Sequence, residues 1–214
     1  MNRKADTHLS DIRSYFLYYV KTDVLINVAI WSLWYLGQIC FIYDNIYNYD
    51  LNNDDSMGLV LCGLAALSID LLSLYTILKP VFKFTKFMNF IKQQWPTEEE
   101  RERLSKSFAD AASTFKEKMK ISKEYTFMAM DLRIVETKQI LSFQPEVRKI
   151  TVRGKEGSYD VFEIYVIAIV QDYESGTLKK IDILKVGKNK KRVVEETNAL
   201  ISEAARVLRN KIQE

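Results

Sequence analysis

Two long apolar runs, joined by a short acidic segment, constrain the fold of this chain more than any other feature. The first run, Val24–Tyr43, has about twenty residues without a formal charge, and the second, Met57–Leu78, has about twenty-two residues and one charge, Asp70. Because a helix rises about 1.5 Å per residue, each run can cross the roughly 30 Å hydrocarbon core of a bilayer. The runs predict a transmembrane hairpin. The alternative is two buried helices of a soluble protein, but both runs are apolar on every side and a 214-residue chain has little protein to cover them.

The remaining residues predict a division into four segments and an α+β membrane protein. The chain has room for the hairpin and one further domain of roughly 100 residues. We expect an N-terminal interfacial helix in residues 1–22, the hairpin in 23–79, juxtamembrane and connector helices in 80–120, and a β-rich domain closed by a C-terminal helix in 121–214. The interfacial helix follows from Leu9, Ile12, Phe16 and Tyr19, which recur at helical spacing. The alternative is that these N-terminal residues are simply an extended start to the first span.

The distribution of charge predicts the orientation of the hairpin. The loop Asp44–Ser56 contains four aspartates and no lysine or arginine. Cations flank the other ends of the two runs: Arg3, Lys4, Arg13 and Lys21 before the first, and Lys79, Lys83, Lys86 and Lys92 after the second. By the positive-inside rule, both termini and the C-terminal domain lie in the cytoplasm or in a topologically equivalent compartment.

Two amphipathic helices are expected between the hairpin and the C-terminal domain. Pro80 ends or kinks the second span, and Val81–Trp95 then places aromatic residues on one face among lysines. That pattern indicates either a helix half sunk in the headgroups of an anionic leaflet or a helix packed on the C-terminal domain. Thr97 and Glu100 form a capping box that begins a second helix, which we expect to reach about Lys120 as a connector or a short coiled coil.

From Ser122 the pattern changes to that of strands. Five or six antiparallel strands are expected, and the strongest, Tyr159–Val170, is apolar on both faces toward its end and therefore central. A final helix from Arg192 to Ile212 should turn six residues to the sheet: Thr197, Leu200, Ile201, Ala204, Leu208 and Ile212. This is the plan of a small PH-like domain, although an open sheet with a helix and a small barrel remain alternatives.

Two spans followed by such a domain resemble the plan of several uncharacterised bacterial membrane proteins. The plan is also similar to that of the photosystem I assembly and mitochondrial two-span assembly-factor families. The hairpin, the strand Tyr159–Val170 and the helix Arg192–Ile212 carry this resemblance. It covers most of the chain as architecture and contains no diagnostic motif, so it implies no functional residue.

Asp70 is the most unusual residue of the hairpin. A carboxylate well inside a span costs roughly 2.5–3.5 kcal/mol on insertion scales, so it should face protein or water. Counted from the cytoplasmic ends, it lies level with Trp31 and Ser32. We predict an intramembrane polar face formed by Asn27, Ser32, Gln38, Gly63, Ala66, Asp70 and Ser73. This face joins the two helices or binds another subunit, with Asp70 protonated or hydrogen-bonded. The alternatives are a proton or cation site and a carboxylate tolerated near the membrane interface.

Basic residues form a second candidate site. Those expected at a membrane surface are Lys83, Lys86, Lys92, Lys188, Lys190, Lys191 and Arg192. A wider set of basic residues lies in the predicted strands or in the turns next to them: Arg148, Lys149, Arg153, Lys155, Lys179, Lys180 and Lys185. A solvated charged loop is the alternative explanation. Nucleic acid is not expected, because no aromatic stacking platform accompanies the basic residues.

The sequence predicts no enzyme. His8 is the only histidine, and there is no glycine-rich phosphate loop, nucleophile elbow or paired-cysteine site. We expect neither catalytic residues, nor a metal, nor a cofactor. The leading interpretation is a membrane scaffold, assembly factor or accessory subunit that binds lipids and a protein partner or a second copy. The alternatives are a ligand-sensing effector that oligomerises through its spans and a small transport-related protein centred on Asp70.

Overall fold

The computed structural model describes residues 9–48, 56–154, 157–172, 175–188 and 191–213, with the side chains of residues 42–62 outside the description. The described helices are α1 (Ser10–Asn48), α2 (Ser56–Gln94), α3 (Glu98–Ala109) and α4 (Lys191–Gln213). The described strands are β1 (Ala112–Thr114), β2 (Met119–Ile121), β3 (Tyr125–Met128), β4 (Arg133–Glu136), β5 (Ile140–Gly154), β6 (Gly157–Gln171) and β7 (Leu178–Lys188). The chain is therefore an α+β protein.

The chain divides into two compact units whose limits differ from the four expected segments. Residues 17–89 form the hairpin unit, and residues 1–16 with 90–214 form the C-terminal unit. The first turns of α1 and the last turn of α2 thus belong with the β-rich part of the chain. The reason is that these turns bury their apolar side chains in protein, which local sequence patterns do not reveal.

In the hairpin unit, α1 and α2 are each 39 residues long. Both are long and apolar enough to span a membrane. A separate N-terminal helix is absent from the described residues, because α1 is continuous from Ser10. Pro80 lies inside α2 and does not end it. Of the predicted acidic loop, residues 49–55 lie outside the description.

The start of α1 packs within the C-terminal unit. Leu9, Ile12 and Phe16 are at most 2% exposed. Beside them, Tyr15 donates a hydrogen bond of 2.8 Å to the carbonyl oxygen of Glu117. The apolar face that the sequence placed at a membrane surface is therefore covered by protein.

The amphipathic end of α2 is also covered along its apolar face. Phe84 and Phe87, which belong to the hairpin unit, and Ile91, which belongs to the C-terminal unit, are buried. Where α2 ends, the Arg101 guanidinium donates hydrogen bonds to the carbonyl oxygens of Trp95 and Pro96. Protein therefore covers part of the face for which the sequence allowed either the headgroups or the C-terminal domain as the contact.

Helix α3 begins as the sequence predicts and ends earlier. Thr97 and Glu100 form the expected capping box. The helix stops at Ala109 instead of continuing to Lys120, and β1 and β2 follow. Three consecutive residues between these strands, Phe115–Glu117, have φ between 51° and 66°. This left-handed turn buries Phe115, and β2 buries Met119, so the two side chains fill the core from a hairpin rather than from a helix.

The seven strands form two antiparallel sheets with sequential order, β1-β2-β3-β4 and β5-β6-β7. The strand predicted to be central corresponds to β6, which is central in its sheet. The residues on both sides of Pro145 belong to a single strand, β5. Proline removes a backbone donor, and β5 tolerates it because an edge strand leaves one side unpaired.

Helix α4 closes the core formed by both sheets. Ala204 and Leu208 are buried against residues of β2, β5, β6 and β7, and Leu200 and Ile201 pack on the same cluster. Thr197 is also buried. Ile212, expected on this face, is 52% exposed, so the buried stripe ends one turn before the helix does.

Candidate functional site

A row of polar side chains joins α1 to α2 in the hairpin unit. We name it the polar seam and define it by Asn27, Trp31, Tyr35 and Gln38 of α1 and by Asp70, Ser73 and Thr76 of α2. Spacings of three and four residues place each set on one face of its helix. The other faces are apolar and open, as at Leu33, which is 71% exposed, and at Leu71, which is 61% exposed.

Two hydroxyl groups on α2 connect the helices at the middle of the seam. Ser73 is fully buried. Its hydroxyl donates a hydrogen bond of 2.7 Å to the carbonyl oxygen of Asp70 and lies 2.5 Å from the Tyr35 hydroxyl. The Thr76 hydroxyl donates a hydrogen bond of 2.8 Å to the carbonyl oxygen of Ser73 and accepts one of 2.7 Å from Trp31 Nε1. Because each hydroxyl donates within its own helix, its lone pairs remain free to accept from α1.

Pro80 explains the polar residue at the end of the seam. A proline nitrogen has no hydrogen, so the carbonyl oxygen of Thr76, four residues earlier, loses its helical partner. Asn27 Nδ2 donates to that oxygen at 3.3 Å. The side chain of α1 thereby satisfies a backbone acceptor that α2 cannot satisfy itself, and α2 remains helical through the proline.

Asp70 lies at the other end of the seam. Its Oδ1 accepts a hydrogen bond of 3.2 Å from Gln38 Nε2. Trp31 and Ser32, which the sequence placed level with Asp70, are two helical turns away along α1. The prediction was wrong because it aligned the ends of the charge-free runs, whereas the hydrogen bonds of the seam set the register.

An open groove of about 840 Å³ lies beside Asp70. Its lining includes Trp34, Gly37, Phe41, Gly63, Ala66 and Asp70, and we name it the Asp70 groove. A Cβ atom built on Gly37 or on Gly63 would meet nothing within 4 Å. The small residues therefore leave room for an approaching chain, and Asp70 is the charged group in the lining.

The structure brings most of the predicted polar face together. Asn27, Gln38, Asp70 and Ser73 belong to the seam, and Gly63 and Ala66 line the groove. Ser32 does not join them, because its hydroxyl donates to the carbonyl oxygen of Ala29 on an exposed face.

Three members of the seam, Trp31, Tyr35 and Thr76, lie outside the polar face predicted from the sequence. Tyr35 extends the spacing of Asn27 and Trp31 by one turn, and Thr76 extends that of Asp70 and Ser73. A second signal was the proline four residues after Thr76, which identifies the carbonyl that needs an outside donor.

Much of the wider basic set is paired with acids in the C-terminal unit. Arg148 Nη2 lies 2.7 Å from Asp182, and its Cζ is 4.5 Å from the centroid of the Tyr165 ring. Other ion pairs are Arg148 and Lys180 with Glu146, Lys149 with Asp160, Lys179 with Asp172, and Lys185 with Glu163. The hydrogen bonds that Arg148 donates to Asp182 and Glu146 raise the pKa of its guanidinium above the usual range.

The basic residues predicted at a membrane surface lie in two regions. Lys83, Lys86 and Lys92 are exposed along α2, and Lys188, Lys191 and Arg192 are exposed where β7 leads to α4; Lys190 lies outside the described residues.

The chemistry of the seam is hydrogen bonding in an apolar setting. Its one carboxylate faces an amide rather than a nucleophile or a second acid. Within the described ranges, no three histidines, cysteines or acids are grouped so as to hold a metal ion. No family model, curated protein or solved structure matches this chain significantly.

Proposed function

We propose that this chain is a non-enzymatic integral membrane protein that serves as a scaffold, assembly factor or accessory subunit. Helices α1 and α2 cross the bilayer as a hairpin. The C-terminal unit is displayed to a protein partner or to the membrane surface.

The exposure of apolar side chains supports the membrane setting. Large aliphatic residues along both helices, such as Leu25, Ile39 and Leu67, are each more than half exposed. A contiguous apolar surface of this length is not stable in water and is typical of a membrane or protein contact. The polar seam lies between the two helices, and their outer faces are apolar. Helices in bilayers associate in this way, with interhelical hydrogen bonds that assist packing.

Charge supports a cytoplasmic location for both termini. No lysine, arginine or histidine occurs between Lys21 and Lys79, whereas four lysines, Lys79, Lys83, Lys86 and Lys92, lie in the last part of α2. Under the positive-inside rule the connection between α1 and α2 faces the opposite side of the membrane.

The order of strands supports a PH-like C-terminal domain. Sequential antiparallel strands closed by a C-terminal helix match the plan predicted from the sequence, with seven strands in two sheets where five or six strands were expected. The exposed Lys188, Lys191 and Arg192 would each contribute about 1 kcal/mol if they lay near anionic headgroups.

The observation that carries the assembly role is the position of Asp70. The carboxylate lines an open groove of an otherwise apolar hairpin, with one amide as its hydrogen-bond partner among the described side chains. A charge in hydrocarbon is retained where protein covers it. A further helix seated in the Asp70 groove would provide that cover.

Purification of tagged chain from native membranes in mild detergent tests this role. We compare wild type with Asp70→Leu and use Ser32→Leu as the matched control, since Ser32 is exposed and its hydroxyl donates to Ala29 of the same helix. Mass spectrometry should identify the same larger complex with wild type and with the control, and Asp70→Leu should lose it. Recovery of the complex with Asp70→Leu would contradict the proposal.

A further inference from the structure

The environment of Asp70 specifies what its partner must supply. The hydrogen bond from Gln38 is neutral and reaches one carboxylate oxygen, Oδ1, at 3.2 Å. Asp70 lies nine residues before Lys79, the first cation of α2, which is about 14 Å away along the helix axis. The carboxylate therefore lacks a charge of opposite sign within its own hairpin.

A second copy of the chain cannot supply that charge. The whole stretch between Lys21 and Lys79 contains no lysine, arginine or histidine. Pairing two copies through this groove would bring two carboxylates together and no cation. A homodimer is thus the less favourable occupant of the Asp70 groove.

The groove has the lining that a cationic side chain requires. Trp34 is 39% exposed and Phe41 is 61% exposed, and both line it with Asp70. Aromatic faces attract cations, most strongly where water is excluded. Gly37 and Gly63 leave the space that a helix backbone needs for close approach.

We infer that the Asp70 groove binds a transmembrane helix of a different protein, and that this helix carries a lysine or arginine at the depth of Gln38 and Asp70. The inference rests on the proposed function, because it requires α1 and α2 to lie in a bilayer. It adds the chemical class of the partner and the residue that selects it.

Synthetic transmembrane peptides test the inference on the full chain in lipid vesicles. The probes are Leu-rich helices of bilayer length whose central residue is Lys, Gln, Glu or Leu, each with a dansyl group that accepts energy from protein tryptophan. The Lys peptide should bind about tenfold more tightly than the Leu peptide, and the Glu peptide should not bind. Equal binding of the Lys, Gln and Leu peptides would overturn the inference.

Variants show whether the groove is the binding site. Asp70→Asn keeps the shape of the side chain and should abolish the preference for Lys, whereas Ser32→Ala should retain it. Gly37→Leu fills open space, so the hairpin should fold while every peptide loses affinity. A Lys preference that survives both Asp70→Asn and Gly37→Leu would place the site elsewhere and overturn the inference.

Two controls separate this inference from the proposed function. Release of the chain from vesicles by alkaline carbonate would overturn the membrane setting and the inference together. Retention of the chain with no preference among peptides would overturn the inference alone. Energy transfer between labelled copies that exceeds transfer to the Lys peptide would show that a second copy occupies the groove, which also overturns it.

Discussion

Asn27 illustrates how one residue can be required by another on a different helix. Pro80 removes the amide hydrogen that would bond to the Thr76 carbonyl, and Asn27 replaces it. Inside a bilayer there is no water to serve instead, so helix-breaking residues persist only where neighbours satisfy the freed groups. The asparagine and the proline should therefore be energetically coupled.

A double-mutant cycle tests this coupling. Asn27→Leu should destabilise the hairpin by about 1 kcal/mol, the typical scale of an interhelical hydrogen bond in membranes. In the Pro80→Ala background the Thr76 carbonyl regains a backbone donor, so the same substitution should cost much less. The measurement is unfolding of the hairpin in SDS titrations, with Ser32→Leu as the control. Equal costs in both backgrounds would contradict the coupling.

Glu146 of β5 forms ion pairs with Arg148 of the same strand and with Lys180 of β7. Hydrogen bonds from Lys180 and Arg148 hold the pKa of the Glu146 carboxyl below its usual value. A carboxyl with a depressed pKa in the folded state contributes stability above its unfolded pKa, near 4.5, and loses that contribution as the pH falls through the folded value.

Glu146→Gln should therefore lower the stability of the C-terminal unit at pH 7 by about 0.5–1 kcal/mol, the scale of partly exposed ion pairs. The difference from wild type should shrink as the pH falls below about 4.5. Amide hydrogen exchange of β5–β7 between pH 3 and pH 7 measures both effects. Glu203→Gln, on an exposed surface of α4, is the control and should show neither; a constant difference at every pH would exclude the ion-pair explanation.

At the scale of elements, the turn between β1 and β2 is the most strained connection in the described chain. Phe115, Lys116 and Glu117 all have positive φ, which non-glycine residues adopt at a cost of roughly 1–2 kcal/mol each. Contacts hold it in place: Phe115 is buried, Lys116 pairs with Glu196 at 2.7 Å, and the Glu117 carbonyl accepts from Tyr15.

Glycine at position 117 should relieve part of this strain. Both Glu117→Gly and Glu117→Ala remove the side-chain carboxylate, so their difference isolates the backbone. We expect Glu117→Gly to be more stable than Glu117→Ala by about 1 kcal/mol. Hydrogen exchange of the amides in β1 and β2 measures the difference. An alanine variant as stable as the glycine variant would show that the turn carries little strain.

The same turn shows why part of the fold could not be predicted from the sequence. Leu104, Phe108, Phe115 and Met119 fit one helical stripe, and the capping box at Thr97 correctly marks where α3 begins. The end of α3 is decided by packing, because the core formed by both sheets takes up Phe115 and Met119. Local spacing contains no information about that distant partner.

The polar seam was more predictable than its register. Polar residues in an apolar helix carry a clear periodic signal, and four of the seven predicted residues belong to the seam. Which residue faces Asp70 depends on how the two helices are offset. That offset is fixed by the pairing of Asn27, Trp31 and Tyr35 with α2, and no single-helix pattern specifies it.

At the scale of the whole molecule, α1 contributes to both compact units. Its first turns bury Ile12 and Phe16 in the C-terminal unit, and residues from Leu17 onward belong to the hairpin unit. Tyr15 makes contacts with residues far from it in sequence: its ring packs edge-on 5.4 Å from that of Phe108, and Lys120 Nζ lies 5.5 Å from the centroid of the Tyr15 ring. The folded C-terminal unit therefore depends on residues about a hundred positions earlier.

Ile12→Ala should consequently destabilise α3 and β1–β3, which are remote from it in sequence. Truncation of a fully buried isoleucine costs about 2–5 kcal/mol, and the loss should fall on the unit that buries it. Hydrogen exchange in the full chain should become faster in α3 and in β1–β3 as well as in the first turns of α1. Ser14→Ala, on the exposed side of the same turns, should leave exchange unchanged. Faster exchange confined to residues 9–20 would mean that α1 lies against the C-terminal unit without supporting it.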